Sequence, residues 1–143
     1  MELVKRILLL LAKYWLPCLV WALVIFLFSS RPTGVVSTFD WQDFIIKKMA
    51  HVVEYGLFVL LLYRALRSAG VKRRNAGLYS IFLAVLYGIS DEFHQSLIPG
   101  RTSRLRDIGF DTIGGILGLY IVWNILPKLQ GKPKEWVRKL ELH

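Results

Sequence analysis

The chain has 143 residues, with 19 lysines and arginines against 10 aspartates and glutamates, a formal charge of +9. It is 55% apolar at a mean hydropathy of +0.45, yet 20% of its residues are charged. That mixture fits one domain whose charges are segregated from long apolar runs; it argues against an ordinary soluble domain and excludes a disordered chain or a disulfide scaffold, since Cys18 has no partner.

The first apolar run, 7–28, is interrupted only by Lys13. About 20 apolar residues cross a bilayer core, so this run is expected to span. Lys5 and Arg6 precede it as in a signal peptide, but it is too long for one and no small-x-small cleavage site follows. The segment after it, with Val35, Val36, Phe39, Trp41 and Phe44, is amphipathic and is expected to lie at the membrane interface. The second run, 44–66, carries Lys47, Lys48, His51, Glu54 and Arg64, and is cleanly apolar over 56–63. The third, 76–98, is apolar as far as Tyr87, then polar until Pro99-Gly100 ends it. The fourth, 108–126, carries Asp111 as its only charge and stops at Pro127. These runs predict an all-α, polytopic membrane bundle of four transmembrane helices over 1–127, followed by a basic tail, 128–143.

Lysines and arginines flanking the runs number thirteen on the side of the termini and six on the other. Positive flanks stay in the cytoplasm, which predicts both termini inside and the loops 29–46 and 99–107 outside. Tyr14, Trp15, Tyr63, Tyr79, Tyr120 and Trp123 then form an inner aromatic belt. The positive charge reads as this topological bias plus attraction of the tail to anionic lipid, not as nucleic-acid binding, because no nucleic-acid motif accompanies it.

Ionisable residues at mid-bilayer cost about 2.5–3.5 kcal/mol each on insertion scales, and here they cluster. Counting inward from Lys48 at about 1.5 Å per residue, His51 is about 5 Å deep and Glu54 about 9 Å, on one face. Counting from Ile98, His94 is about 6 Å deep, Glu92 about 9 Å and Asp91 about 10 Å, with Asp91, His94 and Gln95 grouped by helical spacing. Asp107 stands at the edge of the fourth run and Asp111 one turn deeper. Three helices thus bring acids and imidazoles to one level. Above them, Arg101, Arg104 and Arg106 either neutralise the acids and lock the last two helices, or hold an anionic head group through a forked contact.

His51, Glu54, Asp91, Glu92 and His94 are the candidate acid or base groups, since burial moves such groups towards useful pKa values. His51, Glu54, Glu92 and His94 are also candidate ligands for a divalent metal, zinc or manganese by donor type, although H-x-x-E and D-E-x-H-Q match no metal signature of fixed geometry. Ser96, Thr102 and Ser103 do not stand out as nucleophiles, and covalent catalysis is not expected. Gly114 with Gly118, and Ala84 with Gly88, follow the small-x-x-x-small pattern that permits close helix contact, within the bundle in preference to an oligomer face.

The order Lys48-Met-Ala-His51-Val-Val-Glu54-Tyr55-Gly56, Tyr87-Gly-Ile-Ser-Asp91-Glu92-Phe93-His94-Gln95, Pro99-Gly-Arg101, then Asp107 and Asp111 leading into the glycines, resembles the VanZ-like family of small bacterial membrane proteins. Phe28-Ser29-Ser30 fits the same pattern. The resemblance implies a bacterial inner-membrane protein acting at the cell envelope, and a role in resistance to teicoplanin, a lipid-tailed antibiotic. Three functions follow in order of expectation. The first is a polar site that binds an amphiphile's head group, whether on an envelope lipid, a lipid-linked precursor or a lipoglycopeptide, through Tyr55, Gln95, Arg101, Arg104, Asp107 and Asp111. The second is a hydrolase or transferase, metal-assisted or acid–base, acting on a lipid-linked envelope substrate. The third is a structural or proton-relay bundle, whose polar cluster merely fixes helix register.

Overall fold

The computed structural model describes residues 1–32, 41–101, 105–128, 135 and 139–142. Four helices follow one another in alternating directions: α1 (Glu2–Ser29), α2 (Trp41–Ser68), α3 (Arg73–Gln95) and α4 (Leu105–Tyr120). The last continues through a widened turn at Ile121–Ile125 and a tight one at Leu126–Lys128. No strand occurs among the described residues.

Three of the four, α1, α3 and the α4 segment Arg106–Lys128, are long and apolar enough to cross a membrane. Helix α2 is the fourth of the expected helices. At 28 residues it is long enough, but Lys47, Lys48, His51, Glu54, Arg64 and Arg67 break up its apolar surface. It lies against all three other helices and supplies more of the core than any of them: Tyr55, Phe58, Val59, Leu62, Tyr63 and Ala65. The outward faces of the others carry large exposed apolar side chains, among them Leu19, Leu23, Phe82, Leu86, Ile113 and Ile116. Such a surface suits hydrocarbon and would be costly in water.

Helix α2 also begins earlier than the polar pattern suggested, so Trp41 and Phe44 belong to its first turns and Lys48 lies about two turns inside it. Val35, Val36 and Phe39 lie outside the described residues. At its other end, Gly70 adopts a φ of 84° and the Val71 amide donates back to the Leu66 carbonyl (3.1 Å), a left-handed stop that turns the chain into α3.

Both local widenings of the helices precede a proline. Pro17 lacks the amide that would bond the Lys13 carbonyl, and α1 opens over Leu11–Trp15; Pro127 stands in the same relation to Trp123. Side chains take up nearby carbonyls: Cys18 Sγ donates to Tyr14 (3.3 Å), Asn124 to Tyr120 (3.3 Å) and Arg73 to Trp123 (3.4 Å).

Helices α2 and α4 meet backbone to backbone. A Cβ on Gly114 would stand 2.2 Å from the Val52 carbonyl oxygen, and one on Gly118 3.1 Å from that of Gly56. The small-residue pattern therefore serves contact inside the bundle. Gly114→Ala should cost about 1–3 kcal/mol through forced separation of the two helices, read as a lowered unfolding midpoint in detergent. Gly109→Ala, whose Cβ meets nothing within 4 Å, should leave that midpoint unchanged or raise it.

Part of the tail returns to the bundle. Glu141, at a φ of 55°, accepts a bond from Lys13 Nζ (2.6 Å) and lies 3.6 Å from Arg64, while Leu142 is buried. The Lys13 bond, reinforced by Tyr14, holds the Glu141 carboxyl below its ordinary range. Its contribution is therefore present above the ordinary carboxylate range and is lost as pH falls through the lowered folded value. A fluorine label on Leu142→Cys, in a Cys18→Ser background, should keep its buried resonance through neutral and mildly acidic pH and shift to the solvent resonance only below that range. Glu141→Gln should show the solvent resonance at neutral pH.

Candidate functional site

The alternating directions bring the end of α1, the first half of α2, the end of α3 and the start of α4 to the same end of the bundle, where the polar residues gather. Because Gly114 seats on Val52, the neighbouring turns of α4 and α2 face each other closely. His51 Nδ1 lies 2.9 Å from Asp111 Oδ1, and one turn towards the rim Lys48 Nζ donates to Asp107 Oδ1. Arg106 approaches the same Asp107 oxygen at 4.0 Å. The Lys48 ammonium also sits over the rings of Phe44 and Phe110, at 5.6 and 5.7 Å from their centroids.

Helix α3 contributes three buried polar residues: Asp91, Glu92 and Gln95 are 5%, 4% and 5% exposed. Gln95 Nε2 donates to Asp91 Oδ2 (2.7 Å), the i,i+4 pair that their spacing predicts. Glu92 lies within electrostatic reach of Asp111, and Glu54, half-buried on α2, within reach of His51, Asp91 and Arg101. Tyr55, 1% exposed, faces Asp91, Glu92 and Asp111. Acids from three helices thus lie within electrostatic reach of one another, and Asp91, Glu92, Asp107 and Asp111 are buried.

Two expected contacts differ. Arg101 is not paired with a carboxylate or left open above the acids. Gly100, at a φ of 78°, turns the chain so that Arg101 Nε donates to the Arg31 carbonyl (3.1 Å), one terminal nitrogen to that of Phe28 (2.7 Å) and the other to Gln95 Oε1 (3.2 Å). The last carbonyls of a helix have no partner within it, and a forked guanidinium suits several at once. Arg101 is a clamp that caps α1 and ties it to α3. His94 is likewise turned towards α1: its Nε2 is 3.0 Å from Ser30 Oγ and its ring lies tilted against that of Phe26, centroids 4.5 Å apart. The proposed metal set of His51, Glu54, Glu92 and His94 is therefore divided between two sides of α3. Among the described residues no three of His, Cys, Asp or Glu stand where they could share a metal ion. Arg104 lies outside the described residues.

Sequence reasoning passed over Lys48 as a partner for Asp107, Trp21, whose indole donates to the Glu54 carbonyl (2.9 Å), and Tyr87, whose hydroxyl donates to the Ala22 carbonyl (2.6 Å). Tyr87 precedes Asp91 by one turn, a face relation visible in the sequence. For Trp21 no sequence signal existed. A cleft at the opposite end, lined by Arg73, Arg74, Trp123 and Asn124, brings no acid or imidazole together and is not the candidate site.

The model of the VanZ/LLP1 family matches residues 14–126. The chain belongs to this family. No curated protein and no solved structure matches it. The VanZ/LLP1 match covers every residue of the polar cluster and ends before the Glu141 contact. Within it, Arg101→Lys should lose the forked contact to α1 and lower the unfolding midpoint by the equivalent of about 1.5–3 kcal/mol. Arg106→Lys, at a half-exposed side chain, should not move it.

Proposed function

We propose that this VanZ/LLP1 membrane protein recognises the polar head group of an amphiphile at the end of the bundle where Tyr55, Asp91, Glu92 and Asp111 meet, and that it protects the cell envelope against a lipid-tailed glycopeptide such as teicoplanin. One observation carries the reading: four polar side chains from three helices are buried within electrostatic reach of one another in a bundle whose outer surface is largely apolar. A bundle needing only stability would fill that space with apolar groups, since buried ionisable groups are rarely the more stable choice. The charge bias of the flanks supports a multi-pass arrangement in the bacterial cytoplasmic membrane with both termini inside and this site outward, on the side where such an amphiphile arrives.

A second reading is supported by the His51 Nδ1 to Asp111 Oδ1 contact. A carboxylate that orients an imidazole is the arrangement of a general base, and it suits a hydrolase or transferase acting on a lipid-linked envelope substrate.

In a teicoplanin-sensitive host, the wild-type protein should raise the inhibitory concentration. His51→Asn, Glu92→Gln and Asp111→Asn should return it to that of the host alone at unchanged protein abundance. Full protection by all three variants would overturn the reading, and a fall in abundance that accounts for the loss would support a scaffold. Turnover of a lipid-linked substrate by purified protein, abolished by His51→Asn, would favour the enzyme, and its response to a chelator tests whether a divalent metal takes part.

A further inference from the structure

At the acid end of the bundle the cations are engaged: Lys48 by Asp107, and Arg101 by two carbonyls and Gln95. At the other end two of them are not. Arg73 and Arg74, in the first turn of α3, are exposed and make no ion pair with a carboxylate among the described residues. With Trp123 and Asn124, from the widened turn that follows α4, they line an open cleft of about 400 Å³. Sites for small ligands run from about 300 to 1,000 Å³, so a lipid head group can enter this one.

The packing around the cleft fixes one of its two guanidinium groups. Gly77 leaves the room in which the Trp123 ring sits, since a Cβ there would stand 2.5 Å from that ring. The Trp123 carbonyl, freed by Pro127, accepts from a terminal nitrogen of Arg73 (3.4 Å), and the guanidinium lies over the indole, 5.3 Å from its centroid. Arg73 thereby spends one N–H donor and keeps the others already oriented, while Arg74 has spent none among the described residues. No carboxylate lines the cleft, so an entering cation gains nothing there, whereas a phosphate meets forked donors. The surface beyond is apolar. Leu78 and Phe82 follow Arg74 at one-turn intervals along α3, and Tyr120 stands one turn before Asn124, all three exposed. We infer that this cleft binds the phosphate of an anionic glycerophospholipid between Arg73 and Arg74, beside Trp123, with its acyl chains lying along Leu78, Phe82 and Tyr120. The site is separate from the head-group site among the acids and stands or falls without it.

The purified full chain in detergent provides the test, with native mass spectrometry counting the lipids it retains. The first phosphatidylglycerol should bind about tenfold or more tightly than the first phosphatidylcholine, whose choline nitrogen offsets the phosphate charge. Arg74→Gln should reduce that preference about fivefold without moving the unfolding midpoint in phosphatidylcholine nanodiscs, because the side chain it replaces holds nothing in place. Arg73→Gln combined with Arg74→Gln should remove the preference. Arg6→Gln, which takes a charge from α1 outside the cleft, should leave it intact. Inorganic phosphate at millimolar concentration should not displace the lipid, since it has no chains to lie on the apolar surface; displacement would overturn the lipid-borne assignment and make a soluble phosphate the occupant. Equal affinities for the two lipids, or a preference that survives the double substitution, would overturn the inference. An equal loss in Arg6→Gln would do so as well, by showing diffuse attraction to charge in place of a site.

Discussion

Gly114 lies directly against the α2 backbone, where a single added carbon would collide with the Val52 carbonyl oxygen. His51 precedes Val52, and Asp111 is one turn before Gly114, so this seating sets the separation at which imidazole and carboxylate meet. In lipid, helices gain little from burying apolar surface against one another, and association rests on close packing and polar contacts. Here the packing supplies the polar contact: glycines draw the helices together and the acids are carried into mutual view.

The same constraint explains the division of labour among the helices. A helix enclosed by three others can carry charges that would bar it from crossing hydrocarbon alone, and α2 does so with Lys48, His51 and Glu54 on its walls. Its neighbours present apolar faces outward and polar ones inward. Asp107 and Asp111 are 7% and 2% exposed, each with a cationic or imidazole partner on α2.

Helix number, the common level of the acids and the role of the glycines were legible because each has a local signature in spacing or hydropathy. The Asp91 to Gln95 bond was legible for the same reason. Arg101 was not: its acceptors are carbonyls at the end of another helix, and a backbone oxygen leaves no mark in the sequence. Nor was the rotation of His94 towards Ser30 and Phe26, which separates it from His51 although both stand at one level. Depth along a helix can be counted from sequence, whereas azimuth around the bundle depends on which neighbour each face meets. The start of α2 was misplaced because a helix continuing past its apolar run carries no hydropathy signal.

The contact of Glu141 with Lys13 and Arg64 joins the last part of the chain to its first two helices. One carboxylate thus lies between two cations that would otherwise repel each other. Held between them, it fastens α1 to α2 through a contact that neither basic side chain could make with the other.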